Sequence, residues 1–271
     1  MHKKRYLNLG NIVAIIAGFS LISISFILKS KGLVDVFEPN ALLIVLGGTL
    51  CACSLNFSIP KVFNAIRSTK KLILSEEINS YEDIELLSEI SIFVKKNGIL
   101  GLEKIVPRIE NPFLRKCLKS CIDINDPEQL EQSLLNYMDF VNKEDNTNIE
   151  IFEEMGGYAP TFGIIGAIAG LMQIASSAQS INQLMPGIAT AFCATLWGLA
   201  LANLVFLPIS GNYKNVLRDK MNYQKVVIKT VVKICQNQST IVVKEGLEDF
   251  KDDFENTKQQ NSIFKKLFRK G

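Results

Sequence analysis

The sequence predicts an all-α membrane protein: four transmembrane helices, a large helical cytoplasmic domain between the second and third, and a cytoplasmic C-terminal helix and tail. Three observations predict it. Charged residues make up 21% of the 271-residue chain yet are absent from three long stretches. Lysines and arginines gather at those ends of the stretches that would share one side of a membrane. The segments between carry the period of a helix and not the alternation of a strand.

The first charge-free run, Tyr6 to Leu28, lies between Arg5 and Lys29, and the second, Pro39 to Pro60, between Glu38 and Lys61. Each offers about 22 residues, which at ~1.5 Å rise per residue spans roughly 33 Å, enough for a hydrocarbon core. The third run, Met155 to Tyr213, must turn once, and Ser177 to Pro186 is its polar place to do so. Helices are expected near 7–28, 40–58, 157–177 and 187–210. A soluble fold would need a larger polar shell than the remaining residues supply. Met1–Arg5 resembles the positive start of a signal peptide, but the apolar run is too long and no small-residue cleavage site closes it, so this segment is expected to stay.

Lys3, Lys4 and Arg5 precede the first span, and Lys214, Arg218, Lys220, Lys225, Lys229 and Lys233 follow the fourth. The 29–39 connection is balanced and the turn near 178–186 is uncharged. Positive residues stay inside, so both termini and the middle segment are expected in the cytoplasm. The expected organisation is 1–60 for the first two spans, 61–154 for the cytoplasmic domain, 155–213 for the last two spans, and 214–271 for a cytoplasmic helix and basic tail. The net charge of +3 divides into an acidic middle and a basic tail, and neither calls for nucleic acid.

Within the middle segment, Val62, Phe63, Ile66, Leu72 and Ile73 mark a helix continuing out of the second span. Ser80 with Glu82 and Asp83 starts another, which Asn97-Gly98 ends. Asp126-Pro127 starts a third, running past Leu130, Leu134 and Tyr137 towards Val141. Cys117 and Cys121 fall one helical turn apart, but the sole histidine is His2, so reduced buried thiols are expected and no metal. There is no phosphate loop, no Ser/His/Asp set and no paired carboxylate in a span. The chain does not read as an enzyme, and no cofactor is implied.

The third and fourth spans carry the chemistry. Gly163, Gly166 and Gly170, with Ala167, form a small-residue face that lets another helix come close. Pro160 removes a backbone donor and frees the carbonyl of Gly156, and Pro208 does the same to Leu204. Thr161, Thr190 and Thr195 add hydroxyls. No span holds a carboxylate, so an ion crossing here would need one from another chain.

These residues resemble the flagellar motor stator A subunits, the MotA/PomA group. The likeness runs over nearly the whole chain: Leu46-Gly-Gly-Thr49, Ala159-Pro-Thr-Phe-Gly-Ile-Ile-Gly166 with Gly170-Leu171, Gly187-Ile-Ala-Thr-Ala191, Thr195-Leu-Trp-Gly198, and Leu201 through Pro208. The resemblance implies a homo-oligomeric ring, a pentamer, in the bacterial inner membrane around single-span B subunits whose membrane aspartate carries the ion. Ion flow would turn the ring, and the cytoplasmic domains would push on the rotor switch protein. It implies Pro160 and Pro208 as the coupling prolines and Thr195, with Thr161 and Ala167, along the ion path. Lys95, Lys96 and Glu103 match the rotor-contacting charges. Lys95 stands where the group often has Arg, and Ala167 where sodium carriers tend to have Thr, which makes the proton the expected ion. The reduced Ala194-Thr195 also departs from the group's two-threonine pattern. Rival readings are a TolQ/ExbB-type proton-channel subunit, which has one helix fewer before the large domain, a stand-alone channel or transporter, which would be expected to carry intramembrane charge, and a membrane scaffold.

Overall fold

The computed structural model describes residues 5–7, 17–18, 20, 39–76, 80–177 and 181–241. The helices among them are α1 (Pro39–Asn56), α2 (Ile59–Ile73), α3 (Ser80–Asn97), α4 (Pro112–Asp123), α5 (Pro127–Ser177), α6 (Ile181–Leu201) and α7 (Leu207–Cys235), with a π-helical segment, Ala202–Phe206, joining the last two. Short 3-10 segments, Ile99–Lys104 and Val106–Arg108, lie between α3 and α4.

The helical class holds, with one correction. β1 (Arg5–Leu7) and β2 (Leu74–Glu76) pair antiparallel, Arg5 opposite Glu76 and Leu7 opposite Leu74. Three residues are too few to show alternation, and the pairing is made by backbone groups far apart in sequence. The helix expected near 7–28 therefore cannot begin at Leu7. Residues 17, 18 and 20 are helical, and the rest of that span lies outside the described residues. A Cβ on Gly18 would fall 3.1 Å from Leu204 Cδ2, so this position lies against the π segment.

Among the described residues, three helices are long and apolar enough to cross a membrane: α1, α5 and the helical run Ala191–Cys235. Their apolar windows are buried only to 22%, 17% and 28%. So much bare apolar surface marks contact with lipid or other chains. Leu43 is 72% exposed, Met172 68% and Phe192 70%. Two boundaries differ from expectation. α5 does not stop near Val141 but runs on from Pro127 to Ser177, continuing through Pro160. α6 begins at Ile181 and includes Pro186, ahead of the expected start at 187.

The chain forms two compact units, 1–77 with 144–217 and 78–143 with 218–271. In the first, α1 buries Ala41, Val45, Thr49 and Cys53 at helical spacing. Phe152 stacks on Tyr213 with ring centroids 6.0 Å apart, the Tyr213 hydroxyl is 2.6 Å from that of Ser68, and Lys214 pairs with Glu153. The helix that Val62, Phe63, Ile66, Leu72 and Ile73 were expected to mark is α2, on which Val62 and Ala65 are buried and Phe63 and Ile66 are exposed.

The second unit has an apolar core drawn from all its elements: Leu87, Ile90 and Val94 of α3, Leu102 and Val106, Leu114, Cys117 and Leu118 of α4, Leu130 and Leu134 of α5, and Val227, Ile228 and Val231 of α7. α3 starts at Ser80 and stops at Asn97, where Gly98 takes φ 74°, a conformation open to glycine and costly for a Cβ. Asn111, unremarked in the sequence, caps α4 by accepting from Phe113 N at 2.9 Å and Leu114 N at 3.3 Å. Its amide donates to Asp83 at 2.8 Å and to the Tyr223 hydroxyl at 3.0 Å, and Tyr223 donates to Asp83 at 2.6 Å. Burial, then the Asp83 carboxylate, pushes the Tyr223 phenol well above its usual range, so it stays a donor. The reading of the cytoplasmic cysteines as separate thiols is corrected at one pair: Cys121 and Cys235 are joined, with Cα atoms 6.0 Å apart.

Candidate functional site

The small residues of α5 and α6 bring the two backbones into direct contact in the first unit. A Cβ on Gly163 would fall 2.9 Å from the Ala194 carbonyl oxygen, 3.2 Å from Thr195 Cα and 3.3 Å from Gly198 Cα. A Cβ on Gly198 would fall 2.6 Å from the Ala159 carbonyl oxygen and 3.2 Å from Pro160 Cα. Backbone touches backbone here, which no side chain larger than hydrogen allows. The crossing continues along the same face: Gly166 meets Ala194 Cβ and Gly170 meets Ala191. Four residues singled out in the sequence, Pro160, Gly163, Thr195 and Gly198, thus share one crossing point. Gly166 and Gly170 extend it.

Pro160 sits inside α5 without ending it. The proline has no N–H for the Gly156 carbonyl, and the next residue, Thr161, donates its hydroxyl to Gly157 O at 3.3 Å. Leu207 covers Gly156: a Cβ there would fall 2.5 Å from Leu207 Cδ2. The chain just before Pro208 therefore lies over the residue whose carbonyl Pro160 frees. Thr195 and Ala167 are half-buried, and Thr161 is exposed.

Pro208 does more to its helix than free one carbonyl. The preceding residues Ala202–Phe206 wind as a π turn, and the Leu207 N–H reaches back five residues to Ala202 O. Asn203 donates to Leu199 O at 2.9 Å beside it. Single π turns recur at functional sites because they leave backbone groups loosely committed. Pro208 was the one sequence signal for this turn; its length could not be read.

The Gly47-Gly48-Thr49 stretch of α1 also has a physical reason. The Phe162 ring lies where a Cβ of Gly48 would stand, 2.1 Å from Phe162 Cδ1, and Ile44 packs near Gly166. Thr49 is fully buried, and its hydroxyl has no hydrogen-bond partner among the described residues. No group of metal-binding side chains stands together among the described residues.

The remaining singled-out residues lie in the second unit. Lys95 and Lys96 occupy the last turn of α3 and Glu103 the 3-10 segment beyond Gly98, all exposed, with Leu102 buried as the anchor between them. The Gly98 turn is closed by Gly98 N to Val94 O at 2.7 Å and Gly101 N to Gly98 O at 3.1 Å. Among the described residues none of the three charges is held in an ion pair, so all are presented to solvent.

Residues 106–225 match the MotA/TolQ/ExbB proton channel family. The chain is 25% identical over 243 residues to motility protein A of Bacillus subtilis, covering 88% of each chain. It is 28% identical over 244 residues to motility protein A of Aquifex aeolicus, covering 88% of this chain and 94% of that one. Its fold is that of a chain in the C. jejuni MotAB structure, with a TM-score of 0.79 at 23% identity, over 90% of this chain and 95% of that one.

Proposed function

We propose that this chain, a member of the MotA/TolQ/ExbB proton channel family, is a stator subunit of the flagellar motor that couples ion passage to torque on the rotor. It is a multi-pass protein of the bacterial inner membrane, with both termini and the Lys61–Glu154 segment in the cytoplasm. The ribbon pairing Arg5–Leu7 with Leu74–Glu76 supports that orientation, since it keeps the N-terminus on the side of residues 74–76. The subunits form a ring, a pentamer, around a single-span partner that supplies the ion-carrying aspartate.

One observation carries the proposal: the α5–α6 crossing, where two glycines bring Pro160 and Thr195 together within a stretch, Met155 to Tyr213, that holds no charged residue. Such a pair offers hydroxyls and loosely held carbonyls but no group that titrates or binds an ion strongly. Its carboxylate must come from outside. Thr195 faces the partner's aspartate, with Thr161 and Ala167 along the same path. Pro160 and Pro208 are the points at which the helices yield when the aspartate is protonated. Ala167 offers no oxygen to replace the water of a sodium ion, so the ion is the proton. Lys95, Lys96 and Glu103 meet complementary charges on the rotor switch protein.

The experiment is reconstitution. The chain alone in vesicles is expected to conduct nothing measurable, and the chain with its partner to conduct only while the partner's aspartate is present. Conduction by the lone chain would make it a stand-alone channel and remove the reading. The TolQ/ExbB alternative predicts a partner that acts on the outer envelope and no effect of this chain on swimming.

A further inference from the structure

Cys121 lies in the last turn of α4, and Cys235 is the last residue of α7. They stand 114 residues apart in sequence, yet their Cα atoms are 6.0 Å apart, inside the range of about 4.4–6.8 Å that a disulfide spans. The register that joins them is built by the rest of the unit. Asn111 at the start of α4 holds Tyr223 of α7, so the two helices lie side by side and run the same way. Phe113, Leu114, Cys117 and Leu118 share one buried core with Val227, Ile228, Val231 and Val232 along them. Cys235 then arrives beside Cys121 at the far end, where α7 stops in exposed Gln236 and the left-handed Asn237.

We propose that Cys121 and Cys235 are a reversible dithiol–disulfide site, a redox modification site whose co-reactant is a small-molecule disulfide. Cys235 is half-buried at the helix end, and Cys121 is buried beneath it, which sets the order of events. The Cys235 thiolate attacks one sulfur of the small disulfide, forming a mixed disulfide and expelling one thiolate. Cys121, losing its proton, then attacks the Cys235 sulfur and expels the second small thiol. Two protein thiols are oxidised, one small disulfide is reduced to two thiols, and a reducing dithiol reverses the sequence. Cys117, one turn from Cys121, does not compete: burial pushes its thiol up to about 12, so it stays protonated. The oxidised form ties the end of α7 to α4 across a long loop and removes freedom from the opened chain.

The test uses the full-length chain, purified reduced in detergent, treated with oxidised glutathione, blocked with an alkylating reagent and mapped by mass spectrometry of its peptides. The expected product is one peptide pair joining Cys121 to Cys235 within a single chain, lost on adding dithiothreitol. Oxidation is also expected to slow amide hydrogen exchange through the last turn of α7. Cys121→Ser should stop the reaction at a glutathione adduct on Cys235, and Cys117→Ser should leave the link intact. A stable glutathione adduct on Cys235 in the parent chain, a link through Cys117, or a link between two chains would overturn the proposal. The parent chain alone decides the matter if the Cys121 variant fails to fold.

Discussion

Gly198 is the residue where the least change should do the most. A methyl group there meets the Ala159 carbonyl oxygen at 2.6 Å, a backbone atom that cannot swing aside. Gly198→Ala is therefore expected to push α5 and α6 apart and to cost most of the ion flow, measured in vesicles holding the chain and its partner. Full flow would show that the crossing tolerates separation. Pro160→Ala makes the opposite change. The Gly156 carbonyl regains a donor and the helix stiffens, so assembly should persist while ion-coupled swimming fails. Loss of assembly would make Pro160 a packing residue only. On the other unit, Lys95 and Lys96 are exposed, and single exposed pairs contribute little. Neutralising one should slow swimming modestly, and Lys95→Glu with Lys96→Glu should nearly stop it with conduction unchanged. Intact swimming in the double variant would remove the rotor contact.

At the scale of elements, α4 shows how one side chain organises a segment. Asn111 caps the helix and donates to both Asp83 and Tyr223, so α3, α4 and α7 meet at it. Asn111→Ala removes the cap, worth about 1 kcal/mol, and leaves Asp83 and Tyr223 with one partner fewer. The expected result is a lower thermal midpoint with ion conduction retained; an unchanged midpoint would show that water replaces the amide. The ends of α3 and the start of α5 were legible because Ser80, Asn97-Gly98 and Asp126-Pro127 state them locally. Phe63 and Ile66 show the limit of that method. Their spacing is apolar and helical, but spacing cannot distinguish a face turned to protein from one turned outward, and here Val62 and Ala65 take the inner side. The π turn before Pro208 was not legible either. A proline announces a missing donor, whereas the winding that compensates depends on how the surrounding helices hold the chain.

For the whole molecule, orientation is testable directly. A reporter active only outside the cytoplasm should work when fused after Ser30 or Ser180 and be silent after Lys104 or Lys251; activity at Lys104 would invert the topology. With the partner present, swimming should follow the proton gradient, and motility tracking sodium at constant proton-motive force would overturn the assignment built on Ala167. The sequence by itself determined the helical class and the charge-free apolar runs long enough to cross a membrane, and it raised the expectation of a second chain. These follow from where charges are absent, and solvation acts on each residue according to its own chemistry. Only the tertiary structure decided that Gly163 meets Gly198 across Pro160 and Thr195, that Phe162 fills the notch at Gly48, and that Cys121 lies against Cys235. Those contacts join residues far apart in the chain, and their existence rests on helix register, which is set by the packing of all the helices together.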